Sequence, residues 1–264
     1  PIARPTLAAM PPPVVAKPTS EASAKLRSYF NQIQQAQLNS GLLRRDGGGP
    51  DTPFTADMLV RNFEKIAFYN EYNANLTGHG DKTLMRRWES PVRMAIVFGD
   101  SVPPSEQQAD AATIRTYAAR LAGITSHPIT VGGSAPNFMV IVAGEDDRDT
   151  ALQEAARRIP GVTPASLAAL RDLRRDTYCI VAAYAGGADP SVYTAAVAVI
   201  RAENPSLMRL SCIHEELAQG LGLANDSPIA RPSIFNDDDE FALLTRHDEK
   251  LLQMLYYPRL QAGM

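Results

Sequence analysis

Residues 215–226 read EELAQGLGLAND, at the end of a pattern that predicts a helix over Leu207–Leu221. Residues three and four apart lie on one face of a helix. Glu215, Glu216 and Gln219 are therefore expected to share a polar face. The apolar side chains between them would face a protein core.

Gly222 follows this helix and suits the left-handed conformation in which helices commonly end. Beyond the glycine we expect the chain to turn back. That turn would bring Asn225 and Asp226 close to Glu215 and Gln219. The polar face and the turn together form the candidate site.

The spacing of these residues resembles the zinc-binding helix of metzincin proteases, whose pattern is H-E-x-x-H-x-x-G-x-x-H. Glu216 falls on the general-base glutamate and Gly222 on the glycine. The three zinc histidines correspond to Glu215, Gln219 and Asn225. The resemblance implies an α/β fold of the zincin type, with a twisted mixed sheet, backing helices and a site helix beneath the sheet.

The resemblance continues downstream and covers roughly Val92–Pro258. Ser233–Asn236 takes the place of the metzincin turn under the metal, and Phe235 falls where the turn methionine would be. Thr245–Asp248 predicts a capping box that opens a last helix running to about Tyr256.

The combination C-x-x-E-E-x-x-Q-x-x-G-x-x-N-D, S-I-F-N-D and L-T-x-H-D resembles an uncharacterised bacterial family, the domain of unknown function numbered 2927. That family has zincin-like character, and it supplies no established activity that could be carried over to this chain.

The residues of the motif are poor ligands for zinc. Glu215, Gln219 and Asn225 offer one carboxylate and two amides, whereas zinc prefers imidazole and thiolate. Without a metal, Glu216 has no activated water to deprotonate. We therefore expect no cofactor and a hydrogen-bonded polar cluster that includes Asp226. The alternative is a divalent metal on the same three oxygen ligands, with Glu216 as the general base.

Two histidines lie close to these motifs. His214 precedes the glutamates but falls on the apolar face of the helix, which favours a core histidine over a metal ligand. His247 lies within the capping box, and we expect it at or near the surface.

The chain has two cysteines, Cys179 in a predicted strand and Cys212 just ahead of Glu215 and Glu216 in the site helix. They are either buried thiols or a disulfide of an oxidising compartment. We favour the disulfide, and with it a periplasmic or secreted location.

The bulk composition excludes several classes. Among 264 residues, 45% are hydrophobic and the net charge is −3, so no basic surface predicts nucleic-acid binding. Apolar runs such as Tyr193–Ile200 are too short to cross a bilayer. The chain opens on Pro1 without the basic start of a signal peptide, which suggests a mature or trimmed product.

Three regions are predicted along the chain. Residues 1–18 are rich in proline and are expected to form a disordered tether to an envelope anchor. Residues 19–90 form a helical region packed on the main domain, and residues 91–264 form the metzincin-like domain.

The predicted secondary structure alternates strands and helices. Ser20 (with Ser23) and Thr55 are expected to start two early helices, Ser105 a long helix to about Leu121, and Thr163 a short helix to Leu173. Asp149–Ile159 is predicted as a further helix. Strands are predicted over Val92–Phe98, Ile129–Val131, Phe138–Ala143, Cys179–Tyr184 and Val192–Ile200.

Two functions remain open from the sequence. The first is a non-catalytic module that binds an extended peptide or another envelope protein by strand addition. The second is a metal-dependent, peptidase-like hydrolase that uses Glu216.

Overall fold

The computed structural model describes residues 17–69, 82–236 and 238–264, so the prediction for residues 1–16 lies outside the described part. The strands are β1 Val92–Phe98, β2 Ile129–Val131, β3 Phe138–Ala143, β4 Cys179–Tyr184 and β5 Ala195–Arg201. The helices are α1 Glu21–Asn39, α2 Ala56–Ala67, α3 Pro104–Thr125, α4 Arg148–Arg158, α5 Ala168–Arg171, α6 Ser206–Gln219 and α7 Arg246–Leu255.

The five strands form one mixed sheet in the order β2-β1-β3-β5-β4. The first four strands in this order are parallel to one another. β4 is antiparallel to β5, with Cys179 opposite Ile200, and it forms one edge of the sheet. This arrangement confirms the predicted α/β class.

Helices cover both faces of the sheet. The buried strand β3 shows why, since its six side chains are all buried and alternate between two apolar cores. Phe138, Val140 and Val142 face a core that includes residues of α2, α3, α6 and α7. Met139 and Ile141 face a second core with α4 and α5. Such a doubly covered strand reads as a continuous apolar run.

Helix α1 is integrated into this fold. Its Phe30 is fully buried and packs edge-to-face on Tyr178, just before β4. Gln34 Oε1 accepts a hydrogen bond of 2.9 Å from Met208 N in the first turn of α6. That contact matters because Pro205, the N-cap residue of α6, supplies no side-chain cap.

The segment before α1 also contacts the domain. The Lys17 amide donates to Asp100 O at 3.0 Å, and the Lys17 ammonium pairs with the Asp100 carboxylate. The last residues of the predicted tether therefore contact the loop that follows β1.

Several helix starts are as predicted and one is not. Ser20 accepts a hydrogen bond from Ser23 N, and Thr55 accepts one from Met58 N, so both caps are confirmed. The predicted Ser105 cap is wrong, because α3 begins one residue earlier at Pro104. Proline is well suited to the first helical position, since its φ is already helical and its missing N–H is not needed there.

Two other elements are shorter than predicted. Thr163 Oγ1 accepts from Ser166 N at 3.1 Å, as a cap would, but only Ala168–Arg171 is helical beyond this turn. β5 begins at Ala195, three residues after the predicted start at Val192.

None of the helices in the described part of the chain is both long and apolar enough to cross a membrane.

Candidate functional site

Helix α6 is joined covalently to the edge strand. A disulfide links Cys179, the first residue of β4, to Cys212 in α6, with their Cα atoms 5.8 Å apart. The predicted pairing is therefore confirmed. The bond fixes the start of β4 over the middle of the helix that carries the motif.

An acidic pair lies beside this disulfide. A carboxylate oxygen of Glu215, one of Glu216 and the Cys179 sulfur all lie within 4.8 Å of one another. Neighbouring helical residues leave the backbone about 100° apart, so the two side chains must curve toward each other. Glu216 is buried and Glu215 is partly exposed. The two carboxyl groups meet beside Cys179, at the start of β4.

The sequence contains a signal for this neighbourhood. Cys212 precedes Glu215 by three residues and Glu216 by four, which are the spacings of side chains on one helical face. A cysteine that forms a disulfide with Cys212 must therefore lie next to the two glutamates.

Helix α6 ends at Gln219, with Gly220 as its C-cap. Gly222 follows with a φ of +129°, which confirms its predicted positive φ. A Cβ atom on Gly222 would lie 2.2 Å from Arg86 O, well inside contact distance. The turn therefore needs glycine both for its backbone conformation and for its close approach to another backbone segment.

The chain does turn back after Gly222, but Asp226 and not Asn225 meets the helix. Gln219 Nε2 donates to Asp226 Oδ1 at 3.0 Å. Asn225 Nδ2 instead donates to Lys65 O at 2.8 Å, in the last turn of α2. The last carbonyls of a helix lack partners within the helix, so this one attracts the Asn225 amide.

The segment after the site is held by a buried carboxylate. Asp248 Oδ2 accepts from Ile234 N at 3.0 Å and from Thr245 N at 2.9 Å, and its Oδ1 accepts from Ser233 Oγ at 2.5 Å. Thr245 and Asp248 form the predicted capping box. We call Asp248, Ser233, Ile234 and Thr245 the Asp248 network. Each of its residues is buried.

Phe235 continues the turn held by this network. Its side chain is fully buried in the core shared with α6, and its carbonyl accepts from Ser227 N at 2.8 Å. The residue that follows Asp226 is thereby tied to the 233–235 turn, so the turn supports the site from below.

Comparison with protein families finds one match. The family described as "Protein of unknown function (DUF2927)" matches residues 56–264. The chain belongs to the DUF2927 family. The matched range starts at α2 and includes the whole sheet, α6 and α7, while α1 precedes it. Comparisons with curated proteins and with solved structures give no match.

His214 of this DUF2927 protein is a structural residue. His214 stacks on Tyr117 with ring centroids 4.0 Å apart, and its Nδ1 accepts from Leu244 N at 3.1 Å. Burial, together with the nearby Arg120 charge, lowers the pKa of His214 to about 3. The imidazole is therefore neutral at ordinary pH, as expected for a core histidine.

The expectation for His247 is wrong. Its side chain is fully buried, with Nε2 2.9 Å from Asn62 Nδ2 and its ring edge-to-face with Phe54. Helix α2 packs on α7 and covers this position. The local capping pattern could not reveal that a distant helix lies over it.

The donor set of the DUF2927 site does not fit a zinc centre. Zinc sites in hydrolases use three protein ligands dominated by histidine. Here two carboxylates converge on a sulfur that is already in a disulfide. Gln219 and Asn225 make hydrogen bonds in different directions, to Asp226 and to Lys65. Glu215, Gln219 and Asn225 therefore do not form a single ligand cluster.

Proposed function

We propose that this DUF2927 protein is a non-catalytic, metzincin-like binding module that holds an extended peptide, or an extended segment of another envelope protein, along β4. Two features support the metzincin-like interpretation. β4 is the antiparallel edge strand of an otherwise parallel sheet, and the helix with the motif lies against it. The Asp248 network also gives the protein a buried turn beneath that helix.

The main support for this proposal is the unpaired edge of β4. Arg201 N donates to Tyr178 O, so the even-numbered residues are the ones that pair with β5. The amides and carbonyls of Cys179, Val181 and Ala183 then point away from the sheet. Within the described residues these groups have no backbone partner. An added strand would satisfy them, as in other complexes formed by strand addition.

The same three residues face α6. In β4 the odd-numbered side chains belong with the core on the α6 side, and the even-numbered ones belong with the opposite core. A peptide beside Cys179 would therefore lie close to the carboxylates of Glu215 and Glu216. We expect this acidic pair to act in binding and not in catalysis.

The disulfide supports a periplasmic or secreted location. Such bonds form and persist in oxidising compartments. The proline-rich segment at residues 1–18 would then act as a tether to the envelope.

Hydrogen exchange tests strand addition directly. Peptides selected from a random extended library on the immobilised protein are added to ¹⁵N-labelled protein. We expect the outward amides of Cys179, Val181 and Ala183 to exchange roughly tenfold more slowly in the complex. The inward amides of Ile180 and Ala182 serve as controls in the same strand, because β5 already protects them.

A matched pair of variants sharpens the test. Val181→Pro removes an outward donor and should abolish binding, whereas Val181→Ala keeps the amide and should retain it. If the library yields no binding peptide, or if a bound peptide leaves the outward amides unprotected, strand addition at β4 is refuted.

One observation favours the hydrolase alternative. The carboxylates of Glu215 and Glu216 are close enough to share a cation that prefers oxygen, such as calcium or manganese. The hydrogen bonds of Gln219 and Asn225 argue against the full ligand set of this alternative, because they draw the two amides apart.

A further inference from the structure

A cavity of about 390 Å³ lies at the opposite end of the sheet from the carboxyl ends of its parallel strands. It is lined by Ser90 and Arg93 near the start of β1, by Asn137 just before β3 and by Thr194 just before β5. None of the motif residues between Glu215 and Asp226 lines it. Its size is at the lower end of the range for small-molecule sites.

Arg93 supplies the charge of this cavity. Its Nε donates to Ala135 O at 2.8 Å and its Nη1 to Pro91 O at 3.3 Å. No carboxylate of the residues that the structure describes lies within ion-pair distance of the guanidinium. Main-chain carbonyls orient an arginine without neutralising it, and three of its five N–H groups are left for a ligand. These remaining donors suit an anion.

The backbone that carries Arg93 is also fixed. Asn137 Oδ1 accepts from Arg93 N at 2.7 Å, and Asn137 Nδ2 donates to Pro91 O at 3.0 Å. One side chain thus ties the start of β1 to the residue before β3. A charged group held in this way needs little reordering when a ligand binds.

The other wall of the cavity is aromatic and rigid. Trp88 and Tyr193 pack edge-to-face, with ring centroids 6.2 Å apart. Trp88 also stacks near Phe138, and its Nε1 donates to Gly220 O at 2.8 Å. Trp88 and Tyr193 are only 1% and 3% exposed, so they back this wall. The exposed Ala135 and Pro160 supply the apolar surface that the body of a ligand would contact.

We propose that this cavity is a second binding site, for a small organic carboxylate with an apolar or aromatic body. The guanidinium of Arg93 would take the carboxylate and the Trp88 wall would take the apolar part. An inorganic anion would use only the first of these features, and a neutral apolar molecule only the second.

The single tryptophan of the chain gives a specific readout. Because Trp88 lines the cavity, its fluorescence should change when a ligand binds there. With phenylacetate as the probe we expect a saturable change. Phenylacetamide has the same shape without the charge, and we expect its affinity to be at least about tenfold lower than that of phenylacetate. Inorganic phosphate should also bind more weakly than phenylacetate.

Variants assign the charge preference to Arg93. Arg93→Met should reduce phenylacetate affinity at least about tenfold and leave phenylacetamide affinity unchanged. Arg115→Met, at an exposed position in α3, should change neither. If Arg93→Met does not fold, the comparison of phenylacetate with phenylacetamide on the unmodified protein still decides. Equal affinity for the two, tighter binding of phosphate, or no saturable response to phenylacetate would overturn the proposal.

Discussion

Two polar regions flank the end of α6, and they are organised in opposite ways. In the Asp248 network one buried carboxylate receives hydrogen bonds from Ser233, Ile234 and Thr245, so all contacts converge on it. On the motif face the contacts diverge. Gln219 binds Asp226, Asn225 binds Lys65, and the two glutamates meet beside the disulfide.

The difference indicates which part of the region is constrained by folding. A buried carboxylate is tolerated only when donors surround it, so the Asp248 network must stay complete. On the motif face Glu216 and Gln219 are buried, whereas Glu215, Asn225 and Asp226 are partly exposed. The Asp248 network is thus constrained as a unit, while Gln219 and Asn225 make separate local contacts.

The largest effect is expected at Gly222, which lies between Gln219 and Asn225 of the motif. Gly222→Val would place a side chain on Arg86 O in a backbone conformation that β-branched residues avoid. We expect a loss of more than about 4 kcal/mol of unfolding free energy, measured by urea denaturation. Gly123→Ala is the control. It lies in α3 with open space around it and should stabilise the protein by up to about 1 kcal/mol.

Asp248→Asn tests the convergent network alone. An amide nitrogen would face donors that now meet a carboxylate, and we expect a loss of about 3 kcal/mol in the free energy of unfolding. Asp176→Asn is the matched control, because Asp176 forms an exposed ion pair with Arg174 and should contribute less than about 1 kcal/mol. Similar losses for both variants would remove the distinction between buried and exposed carboxylates.

A smaller effect on stability is expected from pH, through the buried side chain of His214. Its pKa is about 3 in the folded protein and near 6.5 in the unfolded chain, so between these values only the unfolded chain binds the proton. Stability is therefore complete above pH 6.5 and falls as the pH drops. From pH 6.5 to 5 the expected loss is about 2 kcal/mol.

His214→Gln should remove that part of the pH dependence in denaturation experiments. A remaining slope is expected from His127, because burial lowers its pKa as well. An unchanged pH profile in the variant would show that His214 is not the buried neutral group described here.

The sequence predicts the sheet better than the helix ends. β1 to β4 have the predicted bounds, since buried strands are short apolar runs with clear breaks around them. The start of α3 was predicted too late, because Ser105 has the side chain of a cap residue but the helix begins with a proline, Pro104, at its first position. The helix predicted after Thr163 is mostly turn, as local capping does not ensure that a helix continues.

The candidate site was predictable only where contacts are local. Helical spacing predicted that Glu215 and Glu216 lie near each other, and they do, whereas Gln219 bonds to Asp226. The contact of Asn225 with Lys65 joins residues 160 apart in sequence, and no local pattern contains it. Asp248 was recognised as a cap, but its bonds to the 233–235 turn depend on how α7 packs.

Zinc binding tests the central claim most directly. The unmodified protein is incubated with excess zinc, dialysed, and its metal content is measured together with its activity on a general protein substrate. We predict well below one zinc per chain and no proteolysis, because carboxylate and amide oxygens are poor zinc ligands compared with imidazole. The triple variant Glu215→His, Gln219→His, Asn225→His should bind zinc and serves as the positive control for the scaffold. Stoichiometric zinc in the unmodified protein, lost on Glu215→Ala, would contradict the account and favour the hydrolase alternative.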